Sequence, residues 1–260
     1  MTRVIAVANQ KGGVGKTTTS LNLGASLAVY GSKVLLVDLD PQGNATTGAG
    51  VDKNTLKRSA YEWLIDGASP TSIIWKCPGS FDLAPANGDL TAAEVALLRE
   101  NRREIRLRQR IATLQTSYDY VFIDCPPSLN ILTLNALVAA NGVLIPMQCE
   151  YYALEGLAAL LETIEQVRRR ANPGLAIEGV LRTMYDPRNK LTLEVSRQLL
   201  EHFGDSVFRT VIPRNVRLAE APSHGRPVIF YDRQSRGAVA YLALASELSR
   251  NHADAGTGSR

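Results

Sequence analysis

The chain has 260 residues, of which 45% are hydrophobic and 21% charged, with a formal net charge of +4. This is enough for one large α/β unit with a buried core, and it excludes a low-complexity or disordered chain. No apolar run reaches membrane-spanning length, and Cys77, Cys125 and Cys149 lack the spacing of a disulfide framework or a zinc site.

In chain order, "RVIAVAN" (3–9) reads as a buried strand that starts almost at once, so no signal peptide is expected. It runs into "NQKGGVGKTTTS" (9–20), which nearly spells the phosphate-binding pattern G-x-x-x-x-G-K-[ST]. Gly15, Lys16 and Thr17 supply the end of that pattern, while Gln10 stands where the first glycine belongs and Lys11 adds a second cation. Gly12, Gly13, Val14 and Gly15 would turn backbone N–H groups onto phosphate oxygens, and the helix start at Thr17 and Thr18 adds partial positive charge. Lys16 would meet the β- and γ-phosphates, and the Thr17 hydroxyl would ligate Mg²⁺. Spacing alone leaves Lys11 either a solvated charge or a cation for a nucleotide held by a second subunit.

A helix follows over 17–30, with Leu21, Ala25 and Ala28 on one face and Gly31 as its C-cap. The strand "KVLLVDLD" (33–40) ends with Asp38 and Asp40 on one face, either capping the "DPQGN" turn or facing the phosphates. Residues 50–116 are less regular and read as an insertion on the same domain, with a short strand in "FDLAPA" and a charged helix around 89–116. "YVFIDC" (120–125) is an apolar strand ending in Asp124, the Walker B pattern, where a carboxylate serves Mg²⁺. Pro126 and Pro127 stiffen the segment after it, and Cys125 reads as a small buried hydrophobe.

Further on, "GVLIPMQ" (142–148), "IEGVLRTMY" (177–185) and "VFRTVIP" (207–213) read as strands, and "ALEGLAALLETIEQVRRR" (153–170) as an amphipathic helix ending in three arginines. The alternation predicts an α/β fold over residues 1–250: one doubly wound, mostly parallel sheet with helices on both faces. The small polar stretch 251–260 is expected to be a disordered tail. Residues 166–236 carry thirteen Lys and Arg against seven Asp and Glu, a net +6 that leaves the remainder at −2. Such an excess suits binding to a nucleic-acid backbone, or is a solvated basic face.

"VANQKGGVGKTTTSLNLGASLA", "VLLVDLDPQGNAT", "YDYVFIDCPPSLNILTLNAL", "EYYALEGL" and "VIPRNVRLAEAPSHGRPV" together resemble the ParA/Soj chromosome-partitioning group of the ParA/MinD P-loop ATPases. The resemblance runs from Arg3 to about Leu248 and is looser between 50 and 110. It implies a P-loop NTPase fold, ATP and ADP as ligands with Mg²⁺, and a sandwich homodimer in which Lys11 reaches the partner's phosphates. It also implies that Asp40 activates water and stands near the metal, that Asp38 supports the loop and the metal shell, and that Asp124 holds Mg²⁺ through water. The adenine pocket is implied at Met184, Pro213 and Asn215. Nonspecific duplex DNA is implied at Arg188 and Arg217, with Arg214 and then Lys190 as secondary contacts.

The partner the resemblance implies is a ParB-type centromere-binding protein, which would stimulate an otherwise weak ATPase on the nucleoid in the cytoplasm. Two rivals share the core. A MinD-like membrane cycler needs an amphipathic C-terminal helix, and "NHADAGTGSR" has no apolar face. The other is a biosynthetic P-loop enzyme, which would need a metabolite for turnover.

Overall fold

The computed structural model describes residues 2–79, 81–114, 118–151 and 153–257. Its strands are β1 (Arg3–Val7), β2 (Val34–Asp38), β3 (Trp75–Lys76), β4 (Asp82–Ala84), β5 (Tyr120–Asp124), β6 (Gly142–Gln148) and β7 (Ala176–Thr183). They form one sheet in the order β3-β4-β2-β5-β1-β6-β7. Only the β3–β4 pair is antiparallel. The helices in chain order are α1 (Lys16–Val29), α2 (Asn44–Gly48), α3 (Leu90–Leu98), α4 (Arg106–Ala112), α5 (Ile131–Ala139) and α6 (Ala153–Arg170). They continue with α7 (Lys190–Phe203), α8 (Val216–Glu220), α9 (Val228–Tyr231) and α10 (Arg236–Thr257).

The period of two in the strands builds two cores. Ile5, Val7, Leu36, Phe122 and Leu144 pack on Leu21 and Leu27 of α1 and on Tyr241 and Leu244 of α10. Their sequence neighbours Val4, Ala6, Leu35, Val37 and Ile123 face the other way, onto Leu97, Ile111, Leu137 and Leu160 of α3 to α6. Each such side chain contributes about 1.5–3 kcal/mol when fully buried. The doubly wound, mostly parallel sheet read from the sequence is therefore the fold.

Three expectations need correction. Residues 207–213 do not form a strand: only single bridges join Val207 to Val180 and Pro213 to Tyr185. Beyond two backbone bonds to β7, from the Phe208 N–H to the Val180 carbonyl and from the Ile212 N–H to the Arg182 carbonyl, several backbone groups there are engaged by side chains instead. The Glu247 carboxylate accepts from the N–H of Arg209 and Thr210 at 2.7 and 2.9 Å, and the Arg182 guanidinium donates to the carbonyls of Phe208 and Arg209. Pro213 has no N–H to give a ladder.

The helix expected over 89–116 is broken into α3 and α4, with Arg102 in the left-handed region at φ 56°. Asn135 of α5 holds the break, accepting from the Leu107 N–H and donating to the Arg103 carbonyl. Residues 115 and 116 lie outside the described residues. The stretch expected to be a disordered tail is helical as far as Thr257, and 258–260 lie outside the described residues. A tertiary contact anchors that last turn. The His252 ring stacks on Tyr120, its Nε2 meets Glu178, and Arg3 bonds the same carboxylate at 2.9 Å.

Candidate functional site

β1 and β5 are neighbours in the centre of the sheet, and both deliver their C-terminal ends to one edge. The loop after β1 turns into α1 through Gly13 and Gly15, whose φ values of 73° and 88° belong to glycine. Gly15 is the N-cap of α1, and no side chain caps the helix, so its first N–H groups point into the loop. Asn9 braces the loop from below: its Nδ2 donates to the Pro146 carbonyl at 2.8 Å and its Oδ1 accepts from the Lys11 N–H at 3.0 Å. Lys16 is 7% exposed and folds back so that Nζ donates to the Lys11 carbonyl at 3.0 Å. Burial lowers its pKa, and Asp124 works against that shift.

The register pairs Asp38 of β2 with Asp124 of β5, side by side and fully buried. Asp124 accepts from the Thr17 and Ser20 hydroxyls, each at 2.8 Å. Asp38 accepts from the Thr46 N–H at 2.9 Å, the Thr46 hydroxyl at 2.7 Å and the Asp40 N–H at 3.1 Å. Burial raises both carboxyl pKa values, and repulsion between the acids adds to it. Asp38 thus holds the 40–46 turn, and Asp40, itself buried, accepts from the Gln42 N–H at 2.9 Å while lining a cleft of about 460 Å³ with Lys16, Thr17 and Gln42.

A second cavity of about 250 Å³ shares Gly15, Thr18 and Met184 with that cleft, so the two form one crevice. Met184, Ile212, Pro213 and Leu218 make its walls apolar, and Asn215 lines it as well. The Asn215 Oδ1 is buried without a hydrogen-bond partner among the described residues. Of the residues nominated for the loop and the base pocket, Gly12, Gly13, Gly15, Lys16, Thr17, Thr18, Met184, Pro213 and Asn215 line this crevice, and Val14 and Lys11 do not. The Lys11 Nζ pairs with Glu150 at 2.6 Å.

The nominated arginines are exposed, and each is compensated within the chain. Arg188 pairs with Asp186 at 2.8 Å, and Arg217 with Glu220 at 2.8 Å and Asp232 at 3.2 Å. Arg214 lies close enough to Asp186 to lower its pKa along with Arg188, and Lys190 is exposed at the start of α7. A larger hollow of about 880 Å³, beside Arg209 and Arg250, holds none of the nominated residues.

Sequence reading missed Ser20, Thr46, Asn9 and Thr183. Ser20 carried a signal, lying one helical turn beyond Thr17 and so on the same face. The others act through partners distant in sequence.

A family model described as an AAA domain matches residues 2–177. The chain is 52% identical to the sporulation initiation inhibitor protein Soj of Bacillus subtilis, covering 96% of this chain and 100% of that protein. It is 49% identical to the chromosome partitioning protein ParA of Caulobacter vibrioides, covering 97% and 96%. Among solved structures, cobyrinic acid a,c-diamide synthase from Mycobacterium smegmatis with bound ADP and magnesium superposes with a TM-score of 0.87. The sequence identity there is 41%, covering 98% of this chain and 97% of that one.

Proposed function

This chain belongs to the ParA/Soj family of chromosome-partitioning P-loop ATPases, and from that premise we propose an ATP-gated cycle of dimerisation and DNA binding. ATP lies along the crevice, with its triphosphate on the Gly12–Thr18 loop and its base between Met184, Pro213 and Asn215. The observation that carries this reading is the Asn215 Oδ1, without a partner among the described residues, in a largely apolar pocket joined to the loop. An adenine amine would satisfy that acceptor, and a buried orphan acceptor costs about 1–3 kcal/mol until something does.

Mg²⁺ fits the same site. The Thr17 hydroxyl is already aimed at Asp124, and two neighbouring buried carboxyls with raised pKa values favour a divalent cation beside them. When bound, the ion neutralises charge on the phosphates and fixes their orientation. Lys16 holds the β- and γ-phosphates. Asp40, facing the same cleft, orients and accepts a proton from the attacking water.

Lys11 acts on a second copy of the chain. Its pair with Glu150 is half-exposed on both sides, so releasing it costs only about 0–1 kcal/mol. A cation supplied across the interface stabilises charge on the transferring phosphoryl group and makes the nucleotide part of the dimer contact. The dimer doubles the surface carrying Arg188, Arg214 and Arg217, which binds duplex backbone without reading bases. A ParB-type partner stimulates the slow hydrolysis and releases the protein from the nucleoid. No helix among the described residues is long and apolar enough to cross a membrane.

Sizing the protein with ADP, ATP and a slowly hydrolysed analogue, each with and without nonspecific duplex, tests the cycle. A dimer that forms only with the triphosphate, and retains DNA only as a dimer, is the expected result. A single copy under every condition rules it out. The name of the M. smegmatis structure keeps a biosynthetic reading in play. Turnover that needs a small carboxylic acid, and ignores DNA, would favour that reading.

A further inference from the structure

Thr183 ends β7 and is 2% exposed. Its hydroxyl donates to the Val14 carbonyl at 2.8 Å, across 169 positions of sequence. In a trans peptide the carbonyl and the following N–H point in opposite directions, and no cis peptide occurs among the described residues. Drawing the Val14 carbonyl toward β7 therefore aims the Gly15 N–H away from β7 and into the loop. Without that bond, the carbonyl dipole is free to rotate toward the anion, where it repels. The Thr183 side chain also backs the loop directly: a Cβ on Gly15 would lie 3.7 Å from the Thr183 methyl.

The residue after Thr183 is Met184, a non-glycine at φ 49°. Such a conformation is strained for a residue with a Cβ and persists only where the surroundings impose it. Here they do. The Tyr185 N–H donates to the Ile212 carbonyl, and the Ile212 N–H donates to the Arg182 carbonyl, each at 2.9 Å. These two bonds clamp Thr183 and Met184 from both sides to the segment that leads to Pro213 and Asn215. Met184 lines the base cavity and the phosphate cleft alike.

We infer that Thr183 is a positioning residue that couples occupancy of the base pocket to the orientation of the Val14–Gly15 peptide in the phosphate loop. The inference rests on the reading of the crevice as an ATP site. A base seated on Met184 and Asn215 fixes the end of β7, and the Thr183 hydroxyl passes that constraint to the loop. A ligand without a base gains nothing from it.

The test compares Thr183→Val, which keeps the shape and removes the hydroxyl, with Thr183→Ser, which keeps the hydroxyl. Binding of ATP and of tripolyphosphate, both with Mg²⁺, is measured by calorimetry on the full chain, and melting of the nucleotide-free variants checks the fold. T183V is expected to weaken ATP by about tenfold, the scale of one lost hydrogen bond to the loop. It should weaken tripolyphosphate less, and T183S should restore ATP binding to within about twofold of wild type. Equal losses for the two ligands, unchanged ATP binding in T183V, or a T183S variant as weak as T183V would overturn the inference. A wild-type chain that binds no ATP in the same assay would remove the nucleotide reading and this inference together. Wild-type binding with an unaffected T183V removes only the inference.

Discussion

At the C-terminal edge of the sheet, Asp38 and Asp124 lie side by side, met only by hydroxyls and backbone N–H groups, and their pKa values rise. At the N-terminal edge, Glu178 is also buried, but Arg3 and His252 meet it there. Burial alone would raise its pKa, and those two partners hold it below the ordinary carboxylate value. One end is thus short of positive charge, which suits the ligand site proposed there, while the other is complete and fastens the last helix. A buried carboxylate is informative about function through what faces it, since burial is common to both ends.

The largest effect expected on this contrast comes from Lys16→Ala. It removes a buried cation from the phosphate loop and should weaken ATP by about a hundredfold or more, measured by calorimetry. ATP affinity at the wild-type level would break the assignment of the loop. Asp40→Ala should slow turnover by roughly 10²–10⁴-fold while leaving a long-lived ATP dimer on duplex, seen by sedimentation. Unchanged turnover would take Asp40 out of the chemistry. Arg217→Ala should lower DNA affinity and reduce the slope of log affinity against log salt by about 1, with dimerisation intact.

The smallest effects separate the two edges by pH. Glu178 has a depressed folded pKa, so its contribution is present above the ordinary carboxylate range and is lost as pH falls through the folded value. Glu178→Gln should flatten the acid limb of the melting curve. Asp124 has a raised folded pKa, so its contribution is present at low pH and is lost as pH rises through the folded value. Asp124→Asn should therefore raise the melting temperature of the nucleotide-free protein at pH 8 by about 2–4 °C. It should also blunt the further gain on adding ATP and Mg²⁺. Matching slopes for the two variants would erase the contrast.

Much of this was legible in the residues. The apolar runs at β1, β2, β5, β6 and β7 read as strands because period and composition agree there. The phosphate loop read clearly because its glycines and Lys16 are contiguous. Residues 207–213 misled because their Val and Ile content matches a strand, while Glu247 and Arg182, far away in sequence, take the backbone groups a strand would use. The last helix was missed for the same reason, since its anchors, Glu178 and Tyr120, come from β7 and β5. Asn215 was nominated through resemblance alone, and only the fold leaves its Oδ1 buried without a partner among the described residues. Thr183 carried no local signal, because a threonine at the end of a strand is ordinary until Val14 is known to lie opposite it.

The sheet stops at β3, which is only two residues long and runs against its neighbour, with the exposed Lys76 paired to Asp82. So short a border gives an approaching chain almost no ladder to extend, and its charge discourages stacking. At the far border, the irregular 207–213 segment lies along β7 with most of its own amides already engaged. Copies of this protein brought close together are thereby given little sheet edge to knit into fibres.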